Sequence, residues 1–142
     1  MRIELIRLLP GDGDIPALAR MYRTPSVKKY ISIADNYFDY VTGKAGVVYH
    51  KICADGVLTG GLHCETDGRT MYLDICIMDE YRRRGIAEAA LRALLRTLPD
   101  DVDTVEVSID ETNAPSLNLF RKLGFVPAGR EDELIIFRRT NS

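Results

Sequence analysis

Apolar and polar positions alternate with a period of two in several short runs of this chain, and in others they recur at helical spacing. The run Arg2–Leu9, with Ile3 and Leu5 set against Glu4, predicts a first strand. Pro10-Gly11-Asp12-Gly13-Asp14 then breaks it and reads as a turn feeding a helix N-cap rather than a metal or phosphate loop. A short helix is expected over Ile15–Arg23, punctuated by Thr24-Pro25-Ser26. A second helical stretch is expected over Val27–Val41, with Ile31-Ser32-Ile33 as its point of interruption. Tyr30, Tyr37, Phe38 and Tyr40 cluster there, either packed on a sheet or forming a substrate-facing wall.

Strands are predicted over Ala45–Cys53 and Gly56–Cys64, joined by the hairpin signal Ala54-Asp55-Gly56. Gly60-Gly61 inside the second of these predicts a bulge or a close backbone approach. A turn at Thr66-Asp67-Gly68-Arg69 leads into Thr70–Met78, with Met71, Leu73, Ile75 and Ile77 on one face. Its other face carries Tyr72, Asp74, Cys76 and Met78, which predicts cover on both sides. Arg84–Leu98 is the clearest helix, with Ala87, Leu91, Leu94 and Leu98 on its apolar stripe. A strand over Asp103–Ile109 follows. Asn113-Ala114-Pro115-Ser116 opens a further helix, which Gly124 caps. Phe125–Ala128 and Leu134–Arg139 read as closing strands. The layout is a mixed α/β domain over residues 1–142.

Composition narrows the class. With 142 residues, 46% hydrophobic and 28% charged, the chain is long enough for one well-packed core. Its 19 basic and 21 acidic residues give a net charge of −2, which argues against a nucleic-acid partner. No stretch approaches the ~18 continuous apolar residues of a membrane span. Met1-Arg2-Ile3-Glu4-Leu5 has an acidic residue where a secretory leader is apolar, so a cytoplasmic protein is expected. Cys53, Cys64 and Cys76 are odd in number and form no CxxC, which speaks against a disulfide framework or a metal site.

The chemistry concentrates in Asp79-Glu80-Tyr81-Arg82-Arg83-Arg84-Gly85-Ile86-Ala87, between a strand and a helix. A helix N-terminus is already positive, so three arginines there raise the local energy unless an anion offsets them. Gly85 and Ala87 leave room for a bulky anion to approach backbone N–H groups. A solvated, arginine-rich helix start is the other reading of the same residues.

Arg82-Arg83-Arg84-Gly85-Ile86-Ala87 is similar to the Arg/Gln-x-x-Gly-x-Gly/Ala acyl-CoA signature of the GNAT acyltransferase superfamily. Asn113, Phe120 and Gly124-Phe125 resemble its second signature, and Gly60-Gly61 falls where such proteins often have a glycine pair. The resemblance implies a GNAT-like three-layer fold. Its mostly antiparallel mixed sheet would have about six to seven strands, splayed between the fourth and fifth, with about four flanking helices. It implies acetyl-CoA as donor, no metal, and direct attack on the thioester by a primary amine of a small molecule or a protein. Backbone groups near Ile77 and Asp79 would pair with the pantetheine arm, with the Ile77 N–H polarising the thioester carbonyl. The N–H groups of Arg84, Gly85, Ile86 and Ala87 would hold the pyrophosphate. Arg82, Arg83 and Lys122 would make outer phosphate contacts, and Asn113 would bond the arm or act as a plain N-cap. Similar proteins are often dimers.

Phe120 departs from the pattern, since many members have a tyrosine there that protonates the leaving thiolate. Phe120 can wall the pantetheine but has no proton to give, and Tyr72 is one candidate substitute. Asp74 and Glu65 are candidates for the general base; an unpaired mid-strand carboxylate is costly, so Asp74 has either a partner or a task. His50 and His63 read as structural. The departure at Phe120 also admits a binding or sensor module that holds acyl-CoA without turnover. An ordinary nucleotide-binding domain is disfavoured, because GxxxxGK[S/T] and an early G-x-G-x-x-G are both lacking.

Overall fold

The structure, a computed structural model, describes residues 1–140; residues 141–142 of the expected domain lie outside the described residues. The elements run β1 (Ile3–Arg7), α1 (Ile15–Arg23), α2 (Pro25–Lys28), α3 (Tyr37–Gly43), β2 (Val47–Ala54), β3 (Val57–Asp67), β4 (Thr70–Ile77), α4 (Ile86–Arg96), β5 (Thr104–Asp110), α5 (Ala114–Lys122), β6 (Val126–Glu131) and β7 (Leu134–Thr140). A 3-10 turn at Asp79–Tyr81 joins β4 to α4.

The strands form a seven-stranded sheet in the order β1-β2-β3-β4-β5-β7-β6. Every neighbouring pair is antiparallel except β4 and β5, which run parallel. The β2–β3 hairpin turns through Asp55 (φ 50°) and Gly56 (φ 81°). Left-handed backbone at both positions matches the right-handed twist of the flanking strands. Gly60 and Gly61 mark close approaches, as expected. A Cβ on Gly60 would stand 2.2 Å from the Cys76 carbonyl oxygen, and one on Gly61 1.7 Å from the Tyr49 hydroxyl. Bare backbone at Gly61 therefore lets the Tyr49 side chain lie across β3. The bulge also falls on β3, at Thr59, the extra residue between the pairs Ile52↔Gly60 and Cys53↔Leu58.

Helices α4 and α5 cover one face of the sheet. Ile86, Ala90, Leu91 and Leu94 of α4 and Leu117 and Phe120 of α5 pack there with Leu62, Leu73, Val105, Val107 and Phe137. Helices α1 to α3 cover the other face, where Leu18, Met21, Tyr22, Val27 and Val41 meet Tyr49 and Cys76. The result is three layers.

Two expectations need correction. The helix expected over Val27–Val41 is two helices, α2 and α3, separated by a non-helical stretch over residues 29–36. Ile31 and Ile33 in that stretch pack against the α1–α3 core, so tertiary burial uses these β-branched residues outside a helix. The far face of β4 is also only partly covered: Cys76 is buried, but Tyr72 and Asp74 are exposed. The cover given by α1 to α3 ends before it reaches them.

Candidate active site

β4 and β5 pair only through Thr70↔Thr104, Met71↔Val105 and Tyr72↔Glu106. Beyond these pairs the pairing stops, and a cleft of about 480 Å³ opens beside the free end of β4, walled by the head of α4 and the start of α5. In an antiparallel ladder, alternate residues turn both backbone groups toward the partner strand. Met78 N–H donates to the Thr59 carbonyl at 2.8 Å, so Ile75 and Ile77 turn their N–H and C=O groups the other way, toward the cleft. The Ile77 carbonyl accepts a bond from Arg82 Nε at 3.3 Å.

The floor of the cleft at α4 is shaped for an anion. Arg83 (φ 63°) and Gly85 (φ 77°) are both left-handed, which curls the turn into a concavity of N–H groups. The first bond of the helix runs from Ala89 N–H to Gly85 O at 3.1 Å. The N–H groups of Ile86, Ala87 and Glu88 are left without helical partners and lie at the positive end of the dipole.

The three arginines have different surroundings. Arg82 pairs with Asp79 at 3.3 Å, Arg84 stacks over the Tyr81 ring at 5.5 Å, and Arg83 lines the cleft beside Arg82. Gly85, Ile86, Ala87, Ile77 and Asn113 line the same cleft, so most of the expected cofactor residues come together. Asn113 also caps α5 by accepting from Ser116 N–H at 3.5 Å.

Other expected residues stand apart from the lining. Asp79 is at the rim, accepting from the Ser26 hydroxyl at 2.7 and 2.9 Å. Lys122 pairs with Glu88 at 2.8 Å, and this bond, with a second from Arg92, holds the Glu88 carboxyl below its usual range. Phe120 is buried in the core, 1% exposed, with its ring edge-on to Phe125 at 5.1 Å. One position along a helix is a turn of about 100°, so Leu119 and Ser116 face the cleft while Phe120 faces the sheet. Ser26, Tyr30 and Ile31 also line the cleft, brought there by α2 and the residues after it. Only Tyr30 carried a sequence signal, as part of the aromatic cluster.

Asp74 lies in an adjoining recess of about 130 Å³, with His63, Glu65, Tyr72, Leu73, Glu106 and Ser108. The protein crowded around it pushes its carboxyl above the usual range, with His63 lowering it and Glu65 raising it. His63 shares a 2.8 Å hydrogen bond with Tyr37 through Nδ1, and its Nε2 stands 3.5 Å from Glu65. Burial drives the Tyr37 hydroxyl well above its usual range, so it stays protonated and can donate to Nδ1. The Tyr40 hydroxyl donates to Glu65. The aromatic cluster thus divides: Tyr37 and Phe38 pack against Tyr22 and Tyr49, whereas Tyr30 lines the cleft and Tyr40 bonds Glu65 of the recess.

Cys53, Cys64 and Cys76 are buried free thiols. Among the described residues, no group of His, Cys, Asp and Glu is arranged to hold a metal ion, and no helix is long and apolar enough to cross a membrane.

The chain belongs to the acetyltransferase (GNAT) family, whose model matches residues 15–125. It is 34% identical over 55 residues to an N-alpha-acetyltransferase of Sulfurisphaera tokodaii, across 37% of this chain and 33% of that protein. It is 26% identical over 89 residues to the L-amino acid N-acetyltransferase AaaT of Escherichia coli, across 58% of this chain and 55% of that protein. The chain therefore matches about a third to a half of the length of these curated relatives. The Campylobacter jejuni N-acetyltransferase PseH, solved in complex with acetyl coenzyme A, shares the fold with a TM-score of 0.79. That match spans 99% of this chain and 100% of that one at 10% identity.

Proposed function

We propose that the protein is an N-acetyltransferase that passes the acetyl group of acetyl-CoA to a primary amine of a small molecule or a protein, by direct attack on the thioester. The observation that carries this reading is the cradle of N–H groups at the head of α4, lying where β4 and β5 part. A cytoplasmic location, in keeping with three free buried thiols, belongs to the same proposal.

The residues fit such a donor. Ile86, Ala87 and Glu88 offer N–H groups to a pyrophosphate, with Arg83 beside them. Ile75 and Ile77 offer an open strand edge to the amides of a pantetheine arm, and Asn113 lies on the facing wall. Acetyl-CoA supplies the activated acetyl thioester. As the amine N–C bond forms and the C–S bond breaks, negative charge grows on the carbonyl oxygen. The Ile77 N–H is the donor placed to receive it, and one such donor is worth ~3 kcal/mol in a transition state. The amine must lose a proton, for which Asp74, in the recess beside the cleft, is the candidate base. The leaving thiolate must gain one. Phe120 cannot give it, and the hydroxyls the cleft offers instead are those of Ser26, Tyr30, Tyr81 and Ser116.

Calorimetry with acetyl-CoA tests the donor assignment; the wild-type protein should bind, and silence at millimolar cofactor rejects it. Gly85→Glu should abolish that binding, because a left-handed backbone and an anionic side chain both oppose the cradle. The buried, hydroxyl-free Phe120 favours a second reading, an acyl-CoA-binding module without turnover. Free-thiol release with a panel of amines separates the two.

A further inference from the structure

Beyond Asp74, the recess beside the cleft has no part in the reaction above, yet its chemistry is one-sided. It lies on the sheet face that α1 to α3 leave open, against Tyr72, Leu73 and Asp74 of β4. The next residues of the strand, Ile75, Cys76 and Ile77, line the cleft. One strand therefore carries both cavities end to end.

Three carboxylates line the recess (Glu65, Asp74 and Glu106), with neither lysine nor arginine among them. Arg138 of β7 neutralises Glu106 from outside at 2.8 Å. Glu65 has Tyr40 and His63 as neighbours, and the Asp74 carboxylate makes no ion pair or hydrogen bond among the described residues. His63 Nε2 is sealed from solvent and lacks a hydrogen-bond partner, while Tyr37 fixes the ring through Nδ1. The carboxylates do not converge as a metal site, so the cation that matches them is a larger, organic one. Tyr72, exposed at the rim, adds a ring face of the kind that attracts ammonium groups.

We propose that His63, Glu65, Asp74 and Glu106 form the acceptor subsite, and that it takes an aliphatic amine carrying a second positive charge and no carboxylate. The second ammonium sits among the carboxylates while the neutral amine faces the cleft. A carboxylate on the acceptor meets Glu65 and Asp74 as like charges. This rests on the cleft being the acetyl-CoA site.

Three matched acceptors test it with saturating acetyl-CoA, read as free-thiol release: 1,4-diaminobutane, 1-aminobutane without the second charge, and ornithine with an added carboxylate. The diamine should exceed each of the others at least tenfold in kcat/KM. Glu65→Gln and Asp74→Asn should each lower the diamine value at least tenfold, Glu65→Gln mainly through KM, with acetyl-CoA affinity held within twofold. Equal or better turnover of ornithine or 1-aminobutane overturns the subsite, as does an unchanged diamine preference in both variants. Acetyl-CoA binding without thiol release from any of the three overturns it too, leaving the donor site intact. Failure to bind acetyl-CoA removes the underlying reading itself.

Discussion

At the scale of single residues, Asp74 and Asp12 show how the same side chain is set in opposite directions by its surroundings. Asp12 accepts from the Asp14 N–H and pairs with Lys51 at 2.9 Å, so its carboxyl lies below the usual range. The Gly-Asp repeat is thus a turn locked by a lysine. Asp74 has no such partner, and crowding by the protein raises it. The folded chain then holds that proton more tightly than the unfolded chain does. Stability falls as pH climbs from the ordinary Asp value of about 3.9 through the raised folded value, and it stays lower above that. Asp74→Asn should therefore melt higher than the parent at pH 7 and with it at pH 3 and below. A variant that melts lower at pH 7 would show that the carboxylate is held by a favourable partner. A stabilising loss of this kind is expected where a group is kept for chemistry. The sequence identified Asp74 as costly but could not show that its neighbours would be His63 and Glu65, which come from β3.

At the scale of elements, local signals worked where a single element contains the whole pattern. The α4 stripe, the Asn113 cap and the Asp55-Gly56 hairpin all rest on contacts a few residues apart. The Gly60-Gly61 pair was legible as a close approach, but the Tyr49 ring that causes it lies on β2, paired to β3 only in the folded sheet. Gly61→Ala should force that ring and its 2.8 Å bond to the Tyr22 hydroxyl to shift. Overpacking of this sort costs about 1–3 kcal/mol, visible as a lower urea midpoint; an unchanged midpoint would mean that Tyr49 moves freely. Helices α2 and α3 were the poorly read elements, because they are short and owe their shape to burial against the sheet. Phe120 shows the same limit: its place in the chain resembles that of a wall residue, but the rotation of α5 turns it into the core.

Across the whole molecule, two apolar cores lie on opposite faces of one sheet, and β2, β3 and β4 contribute to both. Leu91, wholly buried between α4 and the sheet, tests how strongly that side supports the fold. Leu91→Ala should cost about 2–5 kcal/mol, lowering the urea midpoint without changing the m-value. A changed slope would indicate that the two cores no longer unfold together. Taken alone, the sequence determined the order of strands and helices, the arginine-rich helix start and its fitness for an anion, since these depend on residues adjacent in the chain. The tertiary structure decided that β4 and β5 pair for three residues and then part, that α2 lines the cleft, and that three carboxylates from three strands share one recess. Those features join residues dozens of positions apart, and only the packing of helices on both faces of the sheet fixes which of them meet.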